Sequence, residues 1–135
     1  MEAACKQFRK RNAILSCLRA SHEHPSAETL HTRLRQEYPD ISLGTVYRNL
    51  SLFKERGIIV SLGAVQGVER FDGNTEPHVH FVCTACGAVK DLPHINPPES
   101  LGIAAAADAG GRVDACRLTF TGLCGECLAR PKEYE

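Results

Sequence analysis

Two cysteine pairs with the same spacing constrain this chain more than any other feature: Cys83-Thr-Ala-Cys86-Gly and Cys124-Gly-Glu-Cys127. A C-x-x-C pair puts two sulfurs on one tight turn with backbone N–H groups turned toward them, and the glycine at 87 eases the knuckle. One such pair reads as a redox motif or a coincidence. Two of them complete a tetrahedral set of four sulfurs, which zinc prefers. Four thiolates leave no open coordination position, so Cys83, Cys86, Cys124 and Cys127 are assigned to a structural Zn2+. The chain has 7 cysteines, an odd number. Its first residues offer no apolar stretch long enough for export. A disulfide framework is therefore a poor fit, and a cytoplasmic location is expected.

With 135 residues, 43% of them hydrophobic and 24% charged, the chain suits one ordinary globular domain or two small ones. Long disorder, collagen and coiled coil are excluded. The longest apolar runs, such as Ile103–Ala107, fall far short of a membrane span, so no membrane partner is expected. The net charge of zero hides an asymmetry. Residues 1–71 carry 11 Lys/Arg against 7 Asp/Glu, and residues 72–135 carry 5 against 9. A basic half joined to an acidic half suggests that only the first meets a polyanion.

Residues 6–20 predict an amphipathic helix with a basic face, its apolar positions being Phe8, Ile14, Leu15 and Leu18. Ser26 is a candidate N-cap for a second helix through Leu30, Leu34 and Tyr38, ended by the Pro39-Asp40 turn. Ser42 caps a third, with a stripe of Leu43, Val46, Leu50 and Phe53 and a stop at Gly57. Two strands, Ile58–Leu62 and Val68–Phe71, then flank a hairpin turn. That order is a winged helix-turn-helix over residues 1–71, whose last helix would enter the major groove of double-stranded DNA. The outward residues Thr45, Tyr47, Arg48, Asn49 and Ser51 are the candidate DNA contacts. A small helical domain with a polar surface would show the same pattern.

Residues 72–77 have the composition of a hinge. In residues 78–135, strands Val79–Val82 and Ala88–Leu92 flank the first knuckle. Pro97-Pro98-Glu99 opens a helix through Ile103–Ala109, which Gly110-Gly111 stops. A strand over Val113–Thr121 then delivers the second knuckle. Such a half is marginal alone, so a zinc staple and a partner subunit are both physically reasonable. The fold class expected is α+β: a winged helix-turn-helix followed by a small α/β zinc-stapled domain.

A second metal set gathers around the hinge: His24, Asp72, His78, His80 and Asp91. His78-Val79-His80 places two imidazoles on one face of a strand, because side chains alternate with period two. Three neutral imidazoles and two carboxylates suit Fe(II), Mn(II) or Zn(II) more than a thiophilic metal. Taken alone, H-x-H is equally an exposed pair on a strand, and a His before Pro in a loop is usually surface. His22, His31 and His94 are read as surface residues. No H-x-E accompanies the closed cysteine set, so a zinc hydrolase or deaminase is not expected, and the protein is not read as an enzyme.

Five segments together resemble the ferric uptake regulator (Fur) family: His-Pro-Ser-Ala-Glu-Thr-Leu (24–30), Ser-Leu-Gly-Thr-Val-Tyr-Arg-Asn-Leu (42–50), Arg-Phe-Asp (70–72), His-Val-His-Phe-Val-Cys-Thr-Ala-Cys-Gly (78–87) and Gly-Leu-Cys-Gly-Glu-Cys (122–127). The resemblance covers nearly the whole chain. It implies a homodimeric, metal-dependent repressor of a pseudo-palindromic operator, with residues 78–135 as dimerisation domain. By position, the four cysteines match the zinc ligands, and Tyr47 and Arg48 match recognition-helix residues that meet bases. Asp72 and Asp91 fall where iron-uptake members usually carry Glu. With His24, His78 and His80 they are similar to the peroxide-stress branch, in which Fe(II) or Mn(II) is the regulatory ion. There, iron-catalysed oxidation adds an oxygen to a histidine ligand, by position His24 or His78. An iron- or manganese-responsive uptake regulator and a cysteine thiol switch remain the alternatives. The family's usual first helix is expected to be shortened or absent. Cys116 stands where many relatives have a metal-binding His, so a third site is not expected. Cys5, Cys17 and Cys116 are read as packing residues or free thiols.

Overall fold

The computed structural model describes residues 2–76 and 78–130, with side chains from Lys6 onward. Cys5 therefore lies outside the described side chains. The chain divides into two compact units, Met1–Thr75 and Glu76–Glu135. No described helix is long and apolar enough to cross a membrane.

The first unit runs α1 (Glu2–Ala20), α2 (Ala27–Leu34), α3 (Leu43–Glu55), β1 (Val60–Val65) and β2 (Val68–Asp72). The side chains of Ser26 and Ser42 accept from the N–H groups of Thr29 and Thr45, which satisfies an otherwise orphaned donor at the start of α2 and of α3. Ile14, Leu18, Leu30, Leu34, Val46, Leu50 and Phe53 close one core with Ile41, Ile59 and Phe71. Phe8 departs from the expected stripe and stays 64% exposed. The first strand begins later than Ile58. Gly57 adopts φ 71° and the Ile58 N–H reaches back to the Phe53 carbonyl, so a helix-terminating motif uses up Ile58 and Ile59. The strands β1 and β2 pair antiparallel around a tight turn at Gln66-Gly67. Three helices followed by this hairpin form a winged helix-turn-helix.

The second unit runs β3 (Val79–Cys83), β4 (Val89–Leu92), α4 (Glu99–Ala109), β5 (Thr119–Gly122) and α5 (Gly125–Ala129). Its sheet has the order β4-β3-β5, with β3 antiparallel to β4 and parallel to β5. The last strand is shorter than the alternating stretch from Val113 predicts. His80 pairs with Thr119 and β3 begins at Val79, so residues before Leu118 have no neighbouring strand to bond. Its buried apolar residues are few: Val79, Val89 and the cysteines Cys83 and Cys124. No residue of α4 is buried, and Leu101 and Ile103 are 43% and 68% exposed.

Candidate metal centres

The cysteine set is assembled by β3, the end of β5 and α5. Cys83 ends β3, and its N–H and carbonyl bond to Ala88 and Gly87, folding the first knuckle back on itself. Gly87 takes φ 77°, a left-handed conformation that favours glycine. The Thr84 N–H donates to the Gly122 carbonyl at 2.8 Å, tying this knuckle to β5. The second knuckle is the first turn of a helix, since Leu128 N–H bonds the Cys124 carbonyl at 2.8 Å.

The four sulfurs lie within 4.8 Å of one another, and Cys86 Sγ is 3.8 Å from Cys124 Sγ. A tetrahedron with Zn–S bonds of about 2.3 Å has an edge of about 3.8 Å. Backbone N–H groups of Cys124 and Cys86 point at Cys83 Sγ from 3.4 and 3.5 Å. These two donors, Cys124 first, hold the Cys83 thiol down at about 6. Hydrogen bonding to Cys124 and burial push Cys127 up to about 12. One sulfur is thus ready to ionise near neutral pH, while a fourth thiolate requires a cation among them. The donor set fits zinc.

The histidines and carboxylates form one group in each unit. In the first, His24 sits between α1 and α2, 2% exposed, with Nδ1 3.4 Å from Asp72 Oδ2 at the end of β2. Its backbone has φ 55°, a left-handed conformation that costs a side-chain-bearing residue about 1 kcal/mol or more. The surroundings hold it there. Arg70 donates to the carbonyls of His24 and Glu23, and Phe71 N–H donates to the Pro25 carbonyl. The Asn74 N–H takes the other Asp72 oxygen at 2.8 Å. Gly73 lies against α1, where an added Cβ would meet Arg19 Cγ at 2.8 Å and Arg19 Cα at 3.0 Å.

In the second unit, Asp91 Oδ1 stands 3.2 Å from both His78 Nε2 and His80 Nε2. Asp91 is the direct cross-strand partner of His80, and the two imidazole centroids are 4.2 Å apart. His78 Nδ1 lies 2.6 Å from the Glu76 carbonyl. A carbonyl can only accept, so Nδ1 carries the proton and Nε2 keeps its lone pair for a cation. Each group offers neutral nitrogen and carboxylate oxygen, the donor chemistry of a borderline divalent ion. Spacing alone showed nothing of Arg70, Gly73 or the Glu76 carbonyl, which position these side chains.

The predicted DNA contacts share the outward side of α3, beside Lys10 and Arg11 of α1. Tyr47, Arg48 and Ser51 are exposed, while Thr45 and Asn49 are half-buried. Asn49 donates to the Thr45 carbonyl at 2.8 Å and accepts from Arg11 Nε at 3.0 Å. Arg48 Nη2 donates to Thr45 Oγ1 at 3.1 Å, and the Tyr47 hydroxyl donates to the Glu28 carboxylate.

The model of the ferric uptake regulator family matches residues 2–120. The chain belongs to the ferric uptake regulator family. A Fur-family relative from Staphylococcus aureus strain USA300, named a peroxide-responsive repressor (PerR), is 38% identical over 120 residues, covering 87% of this chain and 79% of its own. The crystal structure of the Campylobacter jejuni peroxide stress regulator superposes with a TM-score of 0.80 at 30% identity, covering 93% of this chain and 94% of that one. A zinc-bound manganese uptake regulator gives 0.63 at 29% identity, over 91% and 96% of the two chains. This Fur-family chain is a metal-responsive regulator similar to peroxide-responsive repressors.

Proposed function

We propose that this Fur-family protein is a cytoplasmic, homodimeric transcriptional repressor that senses peroxide through a regulatory Fe2+ or Mn2+ and is held in shape by a structural Zn2+. The observation that carries the reading is the division of the histidine and aspartate donors. His24 and Asp72 belong to the winged-helix unit, and His78, His80 and Asp91 to the zinc-bearing unit. A ligand requiring all five favours whichever arrangement brings the two groups together, and only that differential affinity can shift the population. The favoured arrangement would space two recognition helices for successive major-groove faces of a pseudo-palindrome. Residues 1–71 act as the DNA-binding domain, 72–77 as the hinge and 78–135 as the dimerisation domain. Tyr47 and Arg48 meet base edges, with Thr45, Asn49 and Ser51 beside them. Exposed Leu101, Ile103 and Phe120 and the open edge of β5 supply an apolar face for a second copy.

When bound, Fe(II) would give the electron that opens the peroxide O–O bond and regain one from the attacked ring, so that one oxygen is added to the ring and the other leaves as water, a reaction Mn(II) does not support. His24 and His78 are the expected targets. Once a ring carries an added oxygen, the set loses a neutral imidazole, the two groups are no longer drawn together, and DNA is released. Peptide-resolved mass spectrometry of zinc-bound protein loaded with Fe(II) or Mn(II), before and after stoichiometric peroxide, tests this. One added oxygen on the His24 or His78 peptide, with iron only, is the expected result. Unmodified histidines with retained DNA binding would assign the chain to metal-uptake control. Cysteine disulfides with zinc release would assign it to a thiol switch.

A further inference from the structure

The Tyr47 hydroxyl donates to Glu28, the second residue of α2, across 19 positions of sequence. A phenol has one proton to give and two lone pairs to offer, whereas an ionised carboxylate only accepts, so the direction of this bond is fixed. Glu28 stands in the first turn of α2, where the helix N-terminus favours its negative charge. Its carboxyl is held below the ordinary range, chiefly by the bond from Tyr47, and Tyr47 is raised above its own, chiefly by the same bond. At neutral pH the pair is therefore a carboxylate and a protonated phenol.

We propose that Glu28 determines what Tyr47 can read: by taking the phenol proton, it leaves the hydroxyl as an acceptor toward DNA. The inference rests on the DNA-binding reading above. Tyr47 is 42% exposed and lies beside Arg48 on the outward side of α3. An acceptor finds no partner in a phosphate, and the neighbouring carboxylate repels phosphate as well. In the major groove, cytosine N4 and adenine N6 present amine donors, while guanine and thymine edges present acceptors. The pair thus selects an adenine or cytosine. Arg48, which can only donate, suits guanine. Adjacent residues of α3 accordingly read with opposite polarity.

The test is selection from a library of duplexes with a randomised central segment, using manganese-loaded, zinc-bound full chain. Wild type is compared with Glu28→Leu, Tyr47→Phe and the double variant, each first checked for zinc content and unfolding temperature. Wild type is expected to enrich adenine or cytosine at one symmetry-related pair of positions. Tyr47→Phe loses that preference by about three- to tenfold, the value of one hydrogen bond. Glu28→Leu frees the proton, so the hydroxyl can donate as well as accept and guanine or thymine is admitted at the same positions, and the double variant matches Tyr47→Phe. Should Glu28→Leu fail to fold, Glu28→Ala removes the acceptor at an exposed helix position and is expected to relax the preference. An unchanged base preference in both Glu28 variants, or in Tyr47→Phe, would overturn the inference and leave DNA binding standing. No enrichment by wild type would overturn the DNA-binding reading itself, and this inference with it.

Discussion

The two units of this protein are held together by different physics. The winged-helix unit buries eleven apolar side chains in one cluster drawn from three helices, the loop before α3, the turn after it, and β2. Among its described residues, the zinc-bearing unit buries two apolar side chains besides cysteine, Val79 and Val89, together with Cys83, Cys124 and the polar His80. A helix of eleven residues, α4, covers no core at all. Structural zinc contributes on the order of 10 kcal/mol, several times the value of two buried valines. The first unit thus carries its stability in its own side chains. The second borrows stability from an ion and, in the proposed dimer, from a second copy.

The largest effect should come from removing the ion. In Cys83→Ser, the zinc-bearing unit is expected to lose its fold while the helical circular dichroism of the first unit persists. A folded, dimeric Cys83→Ser protein free of zinc would erase the contrast. His24→Ala should do the reverse, leaving zinc intact and the winged-helix unit folded, though less stable for the cavity left by a side chain that is 2% exposed. Its expected cost is on the order of 100-fold in manganese-dependent DNA binding, the scale of a lost metal ligand or its support. A DNA-shift assay with an unchanged manganese response would remove His24 from the regulatory set. Ile103→Glu places a charge on the uncovered helix. It should weaken dimerisation by about ten- to a hundredfold, from an apolar burial of roughly 1.5–3 kcal/mol forgone, as read by sedimentation. No change there would put the dimer face elsewhere than α4.

Local features were legible in the sequence, and distant pairings were not. Ser26, Ser42 and Gly57 mark helix ends because a cap is decided by residues three or four apart. The two cysteine knuckles are legible for the same reason. The late start of β1 escaped the hydrophobic pattern, since Ile58 and Ile59 are apolar whether they extend a strand or close a helix. The reach of β5 is set by where β3 begins, which no pattern within residues 113–121 contains. In the histidine groups, His78 and His80 show themselves by alternation. His24 joins that set by residue type, yet as a His before Pro in a loop it reads locally as surface, because the residue that holds it, Arg70, lies 46 positions away. Glu28 gives no local hint of Tyr47 either.

Gly73 distinguishes a ligand from the means of aiming it. It supplies no donor of its own, yet it follows Asp72, and α1 lies where its Cβ would be. In Gly73→Ala, the methyl group meets Arg19 backbone and Cγ rather than the movable end of a side chain, so the β2 terminus must retreat. Overpacking of this kind costs about 1–3 kcal/mol. The retreat carries Asp72 away from His24, now 3.4 Å from it. We expect a lower unfolding temperature for the first unit, unchanged zinc, and manganese affinity weakened by about tenfold, the low end for a residue that orients a ligand. Calorimetric titration of zinc-bound protein with Mn2+ reads the effect. If affinity held while stability fell, Asp72 would be reached through a chain that tolerates its displacement, and the aiming of the regulatory set would rest on Arg70 and the His24 loop instead.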